Sequence, residues 1–196
     1  ETTTWHDWFA SANTAADYLG ERCDRVHMVA LSMGALLALR LLDTNTRCRW
    51  ASCTLLAPAL TLGPLQERAV AVAERLGWPR RLGKEPPQLA MDLLPPAYWQ
   101  IPVAQVRSML ELAATIRSAG VASPVPVQVI HGGLDQTIPM RATRTIVRGL
   151  LPNAQHHVIR AAGHLLPRTL QAKRVRRLIE EFVDAADAVA SARADG

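Results

Sequence analysis

Three short stretches of this chain carry residue types that could do covalent chemistry. The first is Ala30-Leu31-Ser32-Met33-Gly34. A serine hydroxyl is a weak nucleophile until a base takes its proton. A tight strand-to-helix turn would hold Ser32 exposed, and small residues two positions to either side let such a turn form. Gly34 meets that demand, and Ala30 meets it with a methyl in place of a hydrogen. Met33 would then open a helix. Its N–H would be placed to donate to a developing oxyanion, with the helix dipole in support. The simpler alternative for Ser32 is a helix N-cap.

The second stretch is His131-Gly132-Gly133-Leu134-Asp135-Gln136-Thr137-Ile138-Pro139. Its glycines permit a sharp turn, after which Asp135 is an acceptor fit to orient an imidazole. An aspartate in a glycine turn is also common without catalysis. The third is Ala161-Ala162-Gly163-His164-Leu165-Leu166, where His164 could serve as the base. His131, His156 and His157 compete for that role. His131 abuts the end of an apolar run and reads as a turn residue, while His156 and His157 fall at or inside a strand pattern. A lone histidine is usually structural, so the conjunction of the three stretches carries the argument.

The elements that must position these residues follow from periodicity. Residues 3–21 place Trp5, Trp8, Phe9, Ala12, Ala16 and Leu19 at three- and four-residue spacing, a helical pattern with threonine hydroxyls to cap it. Residues 25–31 are too short and apolar for an amphipathic helix and read as a buried parallel strand. A helix from Ser32 to Leu42 and a strand at 50–56 come next. Residues 60–100 change character: Pro64, Pro79, Pro86, Pro87, Pro95 and Pro96 punctuate short helical stretches. That segment reads as an insertion folded over the body, with no sheet element in it. A helix over 103–119 leads to a third strand at 125–130. A helix over 140–150, a fourth strand at 155–159 and a terminal helix over 167–190 complete the chain. Alternating strands and helices predict an α/β fold with a parallel sheet of about four strands, flanking helices and a small helical cap. The division expected is a core of residues 1–59 and 101–196, with 60–100 as the cap.

Serine, aspartate and histidine, each after its own strand and in that order, match the chain order of the α/β-hydrolase triad. The sequence resembles carboxylesterases and monoacylglycerol lipases of that superfamily. Leu31-Ser32-Met33-Gly34 looks like their elbow, His131-Gly132 with Asp135 and Ile138-Pro139 like their acid loop, and Gly163-His164 like their base loop. Tyr98 with Ile101-Pro102 is similar to the segment that leaves the small cap in bacterial carboxylesterases. The resemblance implies that Ser32 attacks an ester carbonyl and His164 shuttles its proton. Asp135 would hold the imidazole, the Met33 N–H would bind the oxyanion, and water would cleave an acyl-enzyme. The substrate implied is a small-molecule ester, a short or medium acyl ester or a monoacylglycerol. Neither a cofactor nor a metal is called for. Leu65, Leu76, Trp78, Leu89, Met91, Leu93 and Leu94 could line an acyl pocket or simply form cap core.

The resemblance also implies several strands ahead of the elbow, one of them ending in a His-Gly loop that supplies a second oxyanion donor. Here one helix and one strand come first, so the chain reads as the C-terminal part of a longer hydrolase. An apolar strand at 25–31 with one neighbour should recruit other chains through its open edge, and turnover by the chain alone should be slow. Amide or lactone hydrolysis, acyl transfer and perhydrolysis run on the same scaffold. A catalytically silent fragment or binding module is the reading from outside enzymology.

Bulk properties narrow the field. The 196 residues carry a net charge of +5, with 49% apolar and 20% charged residues. The basic residues are scattered. The one dense run, Lys173, Arg174, Arg176 and Arg177, is followed by Glu180 and Glu181, as on a solvated helix face. No nucleic-acid partner is expected. Three cysteines without a CxxC pair fit a reducing compartment, and no run is long enough to span a membrane. A cytoplasmic location is the expectation.

Overall fold

Four segments rich in β-branched and apolar residues form one parallel sheet, ordered β1-β2-β5-β6: β1 (Val26–Leu31), β2 (Trp50–Leu56), β5 (Val127–Gly132) and β6 (Gln155–Ile159). This computed structural model describes residues 3–78, 81–82 and 101–194. Parallel neighbours cannot be joined by hairpins, so helices return the chain between strands. The helices are α1 (Trp5–Gly20), ahead of the first strand, α2 (Met33–Thr44), α3 (Pro64–Leu76), α4 (Val103–Ala119) and α5 (Met140–Leu150), which lie between strands, and α6 (Ala172–Ala194), after the last.

Side chains alternate across the pleat, and the two faces bury different chemistry. On one face Cys53, Leu55, Val127 and Val129 pack against Leu36, Leu39 and Leu42 of α2, Leu112 and Ile116 of α4, and Val147 of α5. On the other face lies α6. There Leu31, Leu56, Ile130 and Ile159 form an apolar patch near the carboxyl ends of the strands, closed by Leu166, Val175, Leu178 and Ile179. Below it the same face turns polar. The Gln128 amide donates to Thr54 Oγ1 at 2.9 Å and to the Leu178 carbonyl at 3.2 Å.

Most elements fall where periodicity placed them, with three corrections. The third strand runs over Val127–Gly132, two residues later than expected. Pro126 has no N–H to give, though its carbonyl still accepts from Cys53, and pairing continues through His131 to Gly132. The insertion does contain a sheet element: Arg81–Leu82 (β3) pairs antiparallel with Ile101–Pro102 (β4). A two-residue ladder tolerates Pro102, because a proline nitrogen can face away from the partner strand. The last helix begins at Ala172, and Pro167 lies in a short 3₁₀ turn, Leu166–Arg168.

Within the segment assigned to a cap, α3 starts at Pro64, where the N–H that proline lacks would have had no intrahelical acceptor anyway. It packs Val70 and Ala73 against Val103, Val106 and Leu110 of α4. Leu65, Leu76 and Trp78, named as acyl-pocket candidates, are exposed at 78%, 70% and 76%. Leu89, Met91, Leu93, Leu94 and Tyr98 lie outside the described residues. Among the described residues no helix is long and apolar enough to cross a membrane. On α6, Arg176 and Arg177 pair with Glu180 and Glu181 one turn on, as a solvated face requires.

Candidate active site

Ser32 follows directly on β1 and precedes the first residue of α2. Its backbone sits at φ 56°, ψ −117°, a region that L-residues other than glycine rarely adopt. Such a conformation costs about 1–3 kcal/mol and persists only where its surroundings hold it. Here the Ser32 N–H donates to the Leu56 carbonyl at 2.8 Å, extending the β1–β2 ladder. Its carbonyl accepts from Ala35 at 3.1 Å and from Ala59 at 3.2 Å. The strained turn lifts Oγ off the strand end toward the loops that follow β5 and β6. A helix N-cap normally has extended backbone and a side-chain bond into its helix; Ser32 has neither. Met33 is the first residue of α2, so its N–H has no intrahelical acceptor.

Asp135 lies in the loop after β5 with its side chain fully buried. Oδ1 accepts the Thr137 and Ile138 amides at 2.8 and 2.9 Å, and Oδ2 lies 2.9 Å from His164 Nδ1. Burial pushes this carboxyl up, but the Ile138 amide, His164 and the Thr137 amide outweigh it. The net is a value below the ordinary one, and Asp135 is ionised at neutral pH. His164 comes from the loop after β6. Its other ring nitrogen, Nε2, lies 2.9 Å from Ser32 Oγ. Ser32, His164 and Asp135 are thus joined in one chain of hydrogen bonds. A carboxylate on Nδ1 selects the tautomer that leaves Nε2 free to accept.

The glycines of this region are used differently from the sequence-based expectation. Gly132 and Gly133 were expected to serve a sharp turn, yet neither has positive φ. Instead the two loops approach so closely that no side chain fits. A Cβ on Gly132 would lie 2.3 Å from the Gly163 carbonyl oxygen and 2.4 Å from that of Ala162. One on Gly133 would lie 2.8 Å from the Arg160 carbonyl oxygen. The Gly133 and Leu134 amides donate across the same seam to Ile159 and Ala162, both at 2.9 Å. Gly34 is the converse. A Cβ there meets nothing within 4 Å among the described residues.

The other histidines separate cleanly. His156 and His157 lie within β6, as expected. His131 is no turn residue: it is the fifth residue of β5, 4% exposed, and its Nε2 lies 3.1 Å from Asp135 Oδ2. The apolar run of 127–130 was a signal that the strand carried on into it. A second Ser–His–Asp set also exists. Ser52 Oγ lies 2.8 Å from His27 Nδ1, and His27 Nε2 lies 3.1 Å from Asp187 Oδ1. Ser52 is 1% exposed in the middle of β2, with no helix N-terminus after it. With Arg25 also on Asp187 at 2.7 Å, this set ties α6 to β1. Cys53 is likewise core, its thiol pushed up to about 12 by burial.

Two concavities, about 490 and 750 Å³, open elsewhere on the molecule, and neither is lined by Ser32, Asp135 or His164. Beside those residues, Leu134 and Leu165 expose 65% and 45% of their surface. No group of three or more metal-ligating side chains is found among the described residues.

A parallel α/β sheet whose strand-end loops bring serine, histidine and aspartate together defines a class, and comparison with known proteins gives the family. Residues 1–178 match the model of the alpha/beta hydrolase family, and the chain belongs to it. Its solved neighbours share the fold at low identity. A solved structure from work on LipS and LipT, two metagenome-derived lipolytic enzymes, superposes with a TM-score of 0.79 at 20% identity, covering 93% of this chain and 74% of that one. The monoacylglycerol lipase of Paleococcus ferrophilus gives 0.73 at 16% identity, with 94% and 76% covered. In sequence, 70 residues are 41% identical to 2-hydroxymuconate semialdehyde hydrolase of Pseudomonas putida, which is 36% of this chain and 24% of that protein. The match therefore spans about a quarter of that relative's length.

Proposed function

We propose that this protein is a serine hydrolase that cleaves carboxylic esters, short or medium acyl esters or monoacylglycerols, through an acyl-enzyme. One observation carries the reading: Ser32 is held at φ 56° with Oγ 2.9 Å from His164 Nε2, in a fold whose solved neighbours include lipolytic enzymes. In this reading His164 takes the Ser32 proton as Oγ attacks the carbonyl carbon, and the carbonyl oxygen becomes an oxyanion near the Met33 N–H. The tetrahedral intermediate collapses, and His164 gives its proton to the leaving alkoxide. Water, deprotonated by His164, then attacks the acyl carbon; as this second intermediate collapses His164 returns the proton to Ser32 Oγ and the acid leaves. Asp135 stays ionised throughout and stabilises the imidazolium. Leu134 and Leu165, apolar and exposed beside the site, suit an acyl chain better than a charged substrate.

A second reading, hydrolysis of a substrate like 2-hydroxymuconate semialdehyde, is favoured by the 41% identity over 70 residues. A panel of p-nitrophenyl esters, monoacylglycerols and that semialdehyde separates the two. A fluorophosphonate probe should label Ser32 stoichiometrically, and Ser32→Ala should lose both label and turnover. Single replacement of each histidine should cost several orders of magnitude at His164 and little at His156 or His157. Labelling at another residue, or full activity in Ser32→Ala, would remove the nucleophile assignment.

A further inference from the structure

Between Asp135 and Glu180 the sequence holds nine lysines and arginines and no acidic residue. The fold gathers four of them where the chain leaves the carboxyl end of the sheet. Arg160 follows the last residue of β6, Arg168 ends the 3₁₀ turn, and Lys173 and Arg174 lie in the first turn of α6. All four are exposed, and none has an ion-pair partner among the described residues. Arg176 and Arg177, further along α6, show the contrast, since each has its glutamate. Lys173 and Arg174 also stand at the positive end of a 23-residue helix with no acidic residue in its first turn. Cations are unfavourable there, so this surface carries positive charge that the chain itself does not compensate.

Apolar residues are interleaved with these charges. Leu170, between Arg168 and Lys173, is fully exposed, and Leu165 is exposed on the near side of the 3₁₀ turn. Leu134 joins the same surface. Its N–H donates to the Ala162 carbonyl, and the Arg160 backbone lies against the neighbouring Gly133. The concavity of about 490 Å³ connects the two segments, with Arg160 and Ala161 lining it together with Gln171 and Arg174. Unpaired cations alone suit any polyanion. Cations mixed with exposed leucines suit a bilayer interface, where phosphates meet the charges and acyl chains take the apolar side chains.

We propose that this rim docks the protein on an anionic phospholipid surface. Leu165 and Leu170 enter the headgroup region, and Arg160 and Arg174 take a lipid phosphodiester in the concavity between them. Ser32 and His164 lie at the same end of the sheet, so a docked chain presents its candidate site to molecules carried in the lipid. The docking goes beyond the serine-hydrolase reading and does not depend on it. A nucleic acid or an acidic protein would satisfy the cations and leave the leucines in water.

The test is flotation of the full chain with vesicles of phosphatidylcholine, alone or mixed with phosphatidylglycerol. Only lipid-bound protein rises, so self-associated chains do not score. The chain should float with the mixed vesicles and stay behind with phosphatidylcholine. Lys173→Gln combined with Arg174→Gln should weaken partitioning by about tenfold or more, because each cation at such a surface contributes about fivefold. Leu170→Ser should weaken it by about tenfold. These side chains are exposed, and the circular dichroism of both variants should match wild type. Arg47→Gln combined with Arg49→Gln removes the same charge at the amino ends of the strands and should float like wild type. Absence of flotation with the mixed vesicles overturns the proposal, as does equal flotation with phosphatidylcholine. Equal loss in the Arg47 and Arg49 variant also overturns it, making net charge the cause. Loss in the Lys173 and Arg174 variant with Leu170→Ser unchanged overturns it in favour of a nucleic acid or an acidic protein.

Discussion

At the scale of single residues, Ser32 and Asp135 each carry a local cost. Ser32 holds a backbone conformation disfavoured for any side chain, and three backbone hydrogen bonds keep it there. Asp135 is a fully buried carboxylate, tolerable only because N–H groups surround it. Its lowered pKa links it to stability. A depressed carboxyl contributes stability that is fully present above the unfolded value, about 3.9, and is lost as pH falls through the folded value. Asp135→Asn should therefore be less stable than wild type at pH 5, with the gap closing as pH falls toward 3. Urea midpoints at the two pH values measure it, and a constant gap would show that the charge is not the stabilising feature. In the serine-hydrolase reading, the same variant should lose about 10⁴ in kcat, because its amide favours the wrong tautomer of His164.

At the scale of elements, two glycines of similar appearance in the sequence have opposite roles. Gly132 ends β5 where the base loop's carbonyl oxygens occupy the space of a side chain. Gly34 lies in the first turn of α2 with open space beside it. Gly132→Ala must push apart the loops carrying Asp135 and His164, and should destabilise the protein by about 2–3 kcal/mol. Gly34→Ala should be neutral or stabilising by about 0.5–1 kcal/mol, as alanine outperforms glycine inside a helix. Thermal unfolding of the two variants side by side gives the comparison. Equal losses at both positions would contradict the loop contact.

At the scale of the whole molecule, β1 is an edge strand of the four-stranded sheet. The β1 edge is apolar, with Val29 48% exposed, and α1 packs near it without pairing to its backbone. An edge strand of this kind offers unpaired N–H and C=O groups to other chains. The 196-residue chain should therefore self-associate in solution, and Val29→Lys, which places a charge on that strand, should shift it toward monomer. Light scattering at several concentrations tests this; a monodisperse wild-type monomer would show that the edge is protected.

Most of the architecture was legible in the sequence because strands and helices follow from local pattern. The apolar runs at 26–31 and 50–56 and the helical periodicities at 103–119 and 140–150 state their element types without any neighbour. The order serine, aspartate, histidine was legible for the same reason: each sits where a pattern stops. What pattern could not supply was anything depending on approach through space. The strain at Ser32 exists only because β2 and the chain after it hold the turn in place. His131 looked like a turn residue until β5 proved longer than its apolar run and brought the ring against Asp135. Gly132 looked like a device for bending, and only the base loop, whose residues lie far along the chain, revealed it as a device for contact. Local sequence determines which way a segment bends and which face it buries. Which groups then share a proton is decided by loops that meet only once the sheet has aligned them.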